Sequence, residues 1–241
     1  MREKGGVFVE CNPIAVIRTD FPSKFGIPRQ SGILEMLPAR IVMEPPYRDP
    51  SAFRGLEGFS HLWLLWQFSE TEKKDDGSWS PTVRPPRLGG NTRMGVFATR
   101  SPNRPNPIGL SLVKFVAIDG CDLIVAGADL MDKTPILDIK PYLPFADCRP
   151  EATGGFAEPL RENKLRVVIP EQYSALLSSP EKEALPLLLA EDPRPHYQND
   201  PERVYGFPFA DVEVKFRVDG EVLTVLSIEK RLKTGGKPCA K

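Results

Sequence analysis

Short runs of β-branched, aliphatic and aromatic residues, cut at close intervals by proline and glycine, make up most of the chain. Val7–Val9, Ile14–Arg18, Ile33–Leu37 and Arg40–Met43 read as short strands separated by Asn-Pro, Asp-Phe-Pro and Leu-Pro breaks, because proline lacks the backbone donor that a ladder or helix interior needs. Phe59–Phe68 (FSHLWLLWQF) is apolar nearly throughout and suits a strand buried on both faces or a core helix segment; strand is the preferred reading. Ile108–Ile118 and Asp122–Ala128 meet at Asp119-Gly120, and Val212–Val218 and Val222–Ile228 meet at Asp219-Gly220. Both dipeptides tolerate the positive φ of a two-residue hairpin turn. Strands this short and closely spaced predict a barrel or a sandwich.

The character changes after Pro150. Glu151–Pro159 is rich in Gly, Ala and Pro and reads as a connection, and Leu165–Ile169 as a further strand. Ser179-Pro180-Glu181 places a capping residue, a first-turn proline and an early acid before an apolar stretch, which marks a helix start that Pro186 is expected to kink or delay. The expected organisation is a mainly β domain over residues 1–150 and a smaller α+β appendage over 151–241.

Composition narrows the function classes. Proline accounts for 26 of 241 residues, about twice the usual share of ~5%, so long regular helices should be scarce. A hydrophobic content of 41% with zero net charge excludes a disordered chain. The longest strongly apolar run, Leu62–Trp66, is far short of the ~20 residues of a membrane span, and the charged opening MREKGGVFVECNP is unlike a signal peptide; a cytoplasmic location is expected. Cys11, Cys121, Cys148 and Cys239 lie far apart and the chain holds 2 histidines, which supports neither a metal site nor a disulfide framework. No GxGxxG follows a strand and no GxxxxGKS occurs, which argues against Rossmann and P-loop nucleotide binding.

Charge is unevenly placed along this neutral chain. Gly77–Ile118 contains no acid but holds Arg84, Arg87, Arg93, Arg100, Arg104 and Lys114, a local basic field suited to an anionic partner unless acids elsewhere in the fold pair with it. Within it, Arg100-Ser-Pro-Asn-Arg104-Pro-Asn106-Pro-Ile-Gly109 presents two guanidiniums and an amide on a proline-stiffened loop, a pattern that fits bidentate recognition of carboxylate or phosphate. Asp138, Lys140 and Tyr142 share one face of an extended segment by period-2 alternation, after a turn at Asp132-Lys133-Thr134-Pro135; a salt-bridged β face explains them equally well. Pro28-Arg29-Gln30-Ser31-Gly32 by itself reads as a tight turn. His61, inside an apolar run, reads as a hydrogen-bonded core histidine before a general base.

Together, PRQSG, GLEGFSHLWLLW, RPPRLGG, GVFATRSPNRPNPIGLS and DLMDKTPILDIKPYLP, in this order, closely resemble the TsaA/TrmO (YaeB-like) family of S-adenosylmethionine-dependent tRNA methyltransferases. The match is dense from Ile14 to Pro144, and Asp192-Pro-Arg-Pro with the terminal hairpin resembles the appendage of bacterial members. The resemblance implies a single-sheet antiparallel β-barrel, usually a homodimer, that methylates N6 of threonylcarbamoylated adenosine at position 37 of tRNA. It places the cofactor S-adenosylmethionine against Arg29, Gln30, Ser31, Gly32, Ser69, Glu70, Arg100, Leu110 and the turn Lys133, Thr134, Pro135 and Ile136. Arg104, Asn106, Asp138, Lys140 and Tyr142 match the most distinctive positions and become the substrate-binding or catalytic candidates, with Asp138 as first candidate for the base. Ser31 and Asn103 depart from the proline and the aromatic residue common in relatives. Two other readings compete: an RNA-binding β-barrel without catalysis, and a methyltransferase of a small-molecule amine. The appendage is expected to help grip tRNA, so that truncation near Pro150 would leave cofactor binding intact.

Overall fold

The computed structural model describes residues 10–69, 79–85, 88, 91–161, 164–194 and 200–231. The predicted strand Val7–Val9, the candidate Glu70, Arg87 and Cys239 lie outside the described residues. In chain order the strands are β1 (Ala15–Arg18), β2 (Pro38–Met43), β3 (His61–Gln67), β4 (Thr82–Val83), β5 (Met94–Gly95), β6 (Ile108–Asp119), β7 (Asp122–Ala126) and β8 (Pro135–Pro141). A short helix α1 (Pro144–Asp147) follows, then β9 (Arg166–Val168), helix α2 (Ser179–Ala190), β10 (Tyr205–Phe209), β11 (Val212–Asp219) and β12 (Val222–Lys230).

Six strands close into a barrel in the order β1-β2-β7-β6-β3-β8, and every neighbouring pair is antiparallel. This bears out the mainly β barrel class. Both Asp-Gly hairpins form, with Gly120 at φ 65 and Gly220 at φ 56. Ile17, Ile41, Leu62, Leu64, Val113, Leu123, Val125 and Ile136 fill the barrel and are fully buried. The aromatic run is a strand, as preferred, but it is not buried on both faces. Leu62, Leu64 and Trp66 point inward while His61, Trp63 and Leu65 stand on the outer wall, so the run's apolar continuity comes from a second surface.

The second core has a different composition from the one the segment order predicts. The four-stranded sheet β10-β11-β12-β9 and α2 bury Phe207, Phe209, Val214, Phe216, Leu223, Leu185 and Leu189 together with Phe21, Leu34 and Leu37 from the segment between β1 and β2. Phe25, Ile27, Ile33 and Met36 pack against the same cluster. Ile33–Leu37, predicted as a strand, is therefore a turn whose apolar side chains serve the carboxy-terminal core. Each fully buried large side chain contributes about 1.5–3 kcal/mol, so this segment is fastened to both halves of the molecule.

Helix α2 begins at Ser179, so the cap is Ser178 and not the expected Ser179: the Ser178 and Glu181 side chains form a reciprocal capping box, and the helix continues through Pro186 to Ala190 without delay. Strand β10 was not visible in the sequence because Pro208 sits within it; as an edge strand it tolerates the missing donor. Among the described residues no helix is long and apolar enough to cross a membrane.

Candidate active site

The outer wall of β8, β3 and β6 is a polar and aromatic platform whose rows follow from strand register. Asp138 lies opposite Leu65 and Leu65 opposite Leu110; Lys140 opposite Trp63 and Trp63 opposite Leu112. The last row joins Tyr142, whose backbone amide donates to the His61 carbonyl at 3.0 Å, to His61 and Lys114. Since adjacent strands are about 4.8 Å apart, Asp138 and Leu110 are separated by roughly 10 Å of backbone, about the span of a purine with its substituents.

A cleft of about 290 Å³ opens over the β3–β6 part of this platform, lined by Gln30, Ser31, Gly32, Glu35, His61, Trp63, Arg100, Leu110, Leu112 and Lys114. Its far wall is the PRQSG turn. The Ser31 hydroxyl accepts the Leu112 amide at 3.2 Å, and the Gly32 amide donates to the Gly127 carbonyl at 2.8 Å. Gly32 has φ 82, a left-handed conformation that glycine adopts without strain, and a Cβ there would meet nothing within 4 Å. Arg100 crosses to the same turn, donating to Gln30 Oε1 at 2.6 Å. Lys114 Nζ stands 3.6 Å from Glu35.

Beneath the cleft the Trp66 indole donates to Ser111 Oγ at 3.0 Å, and Ser111 donates to Asp129. Burial pushes the Asp129 carboxyl above the usual carboxylate range, opposed by the Ser111 hydrogen bond and by the Arg100 charge. On the β8 side Asp138 and Lys140 form an ion pair at 2.7 Å, about half exposed. The Tyr142 ring lies edge-on to His61 and Trp63, at 6.2 and 5.9 Å between centroids. Desolvation, then Cys148 and Asp147, raises the Tyr142 phenol above its ordinary value.

The structure thus gathers Gln30, Ser31, Gly32, Arg100 and Leu110 into one cleft and sets Asp138, Lys140 and Tyr142 beside it. Other candidates sit elsewhere. The Arg29 guanidinium donates to the Asp192 carbonyl in the carboxy-terminal half. Ile136 is in the barrel core, and the buried Thr134 hydroxyl donates to the Met131 carbonyl at 2.7 Å. Lys133 holds a left-handed turn at φ 68 ahead of Pro135, the first residue of β8. Ser69 follows β3 in a turn. Arg104 donates to the Thr99 carbonyl at 3.3 Å and Asn106 is exposed, its carbonyl accepting the Ile108 amide.

Sequence reading missed Glu35, Trp63 and Leu112, and it misplaced His61, which faces the cleft with Nδ1 2.9 Å from Ser60 Oγ. The alternation of β3 was the available signal for Trp63 and His61. Among the described residues of the basic segment, Lys114 pairs with Glu35 and the Arg100 charge reaches Asp129, while the guanidiniums of Arg93, Arg100 and Arg104 donate to the neutral oxygens of Thr82, Gln30 and Thr99. Among the described residues no group of His, Cys, Asp and Glu is placed to hold a metal ion.

Comparison with known proteins identifies the family and the fold. Residues 16–148 match the model of the tRNA-methyltransferase O N-terminal domain and residues 162–231 that of the TrmO C-terminal domain. A tRNA (adenine(37)-N6)-methyltransferase of Escherichia coli K12 is 42% identical over 90% of this chain and 97% of its own length. A Pseudomonas aeruginosa protein, provisionally named an S-adenosylmethionine-dependent methyltransferase, is 40% identical over 84% of this chain and 90% of its own length. A crystal structure of TrmO from Pseudomonas aeruginosa superposes with a TM-score of 0.77 at 31% identity, covering 95% of this chain and 100% of that one.

Proposed function

Because the chain belongs to the tRNA-methyltransferase O family, we propose that its methyl donor is S-adenosylmethionine and that the adenosine it receives carries the threonylcarbamoyl group. The chain is a methyltransferase of N6 of adenine 37 in tRNA, as its curated relatives are. The observation that carries the finer reading is the register that sets the Asp138–Lys140–Tyr142 row on the same wall as the cleft, with Trp63 between them.

The cleft residues fit the donor. Arg100 and Gln30 suit its carboxylate and Glu35 its ammonium, while Leu110 and Leu112 offer apolar surface to the adenosyl part. When bound, S-adenosylmethionine supplies an electrophilic methyl group on a sulfonium. The chain's share is orientation, removal of water and handling of one proton. Trp63 provides a face on which the target purine stacks, worth about 1–3 kcal/mol for a base on an aromatic side chain. The N6 lone pair is delocalised into purine and carbamoyl, so the nitrogen must give up its proton as it takes the methyl; Asp138 receives that proton and Lys140 holds the carboxylate in place. Tyr142 donates a hydrogen bond to the base. Arg104, with further guanidinium donors beyond the one on Thr99, and Asn106 meet the threonyl carboxylate.

Lys133, Pro135, Ser69 and Glu70 belong to the same proposal as neighbours of the cofactor, with buried Thr134 and Ile136 holding the turn at Lys133 from within and Arg29 acting from outside the cleft, and the domain from residue 151 onward as part of the tRNA grip. We also assign to the protein a homodimer formed through exposed apolar surface such as Trp79 and Phe97, 5.8 Å apart by ring centroid, and a cytoplasmic location with its tRNA substrate. The test is nucleoside mass spectrometry of tRNA from cells with and without the protein, combined with methylation in vitro of threonylcarbamoylated and unmodified tRNA. The expected result is loss of the N6-methylated threonylcarbamoyladenosine in the deleted strain and transfer in vitro to the modified tRNA only. Equal transfer to unmodified adenosine overturns the substrate assignment, and binding of tRNA without any uptake of methyl overturns catalysis.

A further inference from the structure

We propose that Arg29 and Phe207 are positioning residues for the methyl-donor cleft, so that the carboxy-terminal domain, beyond any grip on tRNA, is part of what sets cofactor affinity. The inference rests on the assignment of that cleft to S-adenosylmethionine.

The segment carrying Gln30, Ser31 and Gly32 is held from two sides in alternation. Toward the barrel, Ser31 accepts the Leu112 amide and Gly32 donates to Gly127. Toward the carboxy-terminal sheet, Phe21 packs on Phe209 at 6.2 Å and Phe25 edge-on to Phe207 at 5.9 Å, and the Ala210 amide donates to the Asp20 carbonyl at 2.8 Å. At Gly26, with φ 85, a Cβ would stand 2.2 Å from Phe207 Cδ2, so the backbone lies directly against that ring. Next to the cleft residue Gln30, the Arg29 guanidinium spans to the Asp192 carbonyl just past the end of α2, where Asp192 also holds Arg194 through two bonds of 2.9 Å.

Close-packed interiors transmit small displacements, and Gln30 meets Arg100 at 2.6 Å in the wall of the cleft. Loosening the segment at Phe207 or Arg29 therefore moves the cleft wall while the platform of β8, β3 and β6 stays where it is. This reverses the expectation that cofactor binding is a property of the barrel alone.

The test uses the full chain with S-adenosylhomocysteine as probe, by calorimetry without tRNA, together with steady-state methylation and thermal melting. Arg29→Met and Phe207→Leu are each expected to weaken binding of the probe about tenfold and to raise the KM for S-adenosylmethionine similarly. At saturating donor, kcat should stay within about twofold. Arg29→Lys, which keeps a donor for the Asp192 carbonyl, should recover most of the loss. A lowered melting temperature with unchanged probe affinity in both variants, or a loss confined to kcat, overturns the proposal and leaves the segment a purely structural join. If Arg29→Lys is as weak as Arg29→Met, the carbonyl bond is not what positions the turn and Arg29 drops out of the proposal. Wild-type protein that does not bind the probe overturns the cofactor assignment itself, whereas wild-type affinity that survives in both variants overturns only the positioning role.

Discussion

The Arg100 guanidinium donates to the Gln30 side-chain oxygen at 2.6 Å, joining two segments 70 residues apart in the wall of one cleft. The bond orients both groups before any ligand arrives, and an ordered guanidinium recognises a planar carboxylate at lower entropic cost than a free one. Arg100→Ala and Gln30→Ala are each expected to weaken S-adenosylhomocysteine binding by about tenfold, or about 1.4 kcal/mol. The double variant should be no more than about threefold weaker than the worse single one, because the two act as a unit. Full additivity in calorimetry would show that they contribute separately.

Arg104 is placed on a loop tied down locally, its backbone amide donating to the Pro102 carbonyl at 2.8 Å and its side chain to Thr99. Arg104→Lys keeps the charge and removes the fork. Methylation of threonylcarbamoylated tRNA should fall by at least about tenfold in single-turnover assays, while tRNA affinity and its salt dependence change little because the number of cations is the same. An unaffected variant removes Arg104 from recognition of the carboxylate.

Asp129 gives a pH dependence with a definite sign. Its folded-state pKa is raised by burial, so the folded protein holds a proton more tightly than the unfolded chain does. The stability that this proton contributes is complete below the ordinary aspartate pKa of about 3.9 and is lost as pH rises through the raised value. Asp129→Asn accepts the same Ser111 hydrogen bond without ionising. The stability of wild type relative to Asp129→Asn, from urea unfolding at a series of pH values, should therefore decline across that window and be level above it. A difference that does not vary with pH removes Asp129 as the group responsible.

Gly109 explains one glycine of the RPNPIG motif by space alone. A Cβ at this position would lie 2.2 Å from the Trp66 ring, whose indole is already fixed by its bond to Ser111. Gly109→Ala is expected to destabilise the barrel by about 1–3 kcal/mol, the usual cost of overpacking. Pairing it with Trp66→Leu, which vacates the ring's space, should show less loss than the sum of the two singles in denaturant unfolding. Additive losses would mean that the close approach is not the cause.

The sequence by itself determined what depends on near neighbours in the chain. Asp119-Gly120 and Asp219-Gly220 specify hairpins because the turn conformation needs only those residues, and the Ser-Pro-Glu run marks the start of α2 to within one residue, the cap being Ser178 and not the expected Ser179. The acid-free run from Gly77 to Ile118 and the motifs that mark the family are likewise local facts. Tertiary structure alone decided the rest. Period-2 alternation states that β3 has two faces, but only closure between β6 and β8 puts Trp63 on the outer wall between Lys140 and Leu112. Nothing local distinguishes Ile33–Leu37 from a strand, since its apolar side chains answer to Phe207, Phe209 and Leu185, more than 140 residues away by the numbering. The burial that chooses between such outcomes exists only once both partners have folded, and it leaves no signature at either end of the chain taken separately.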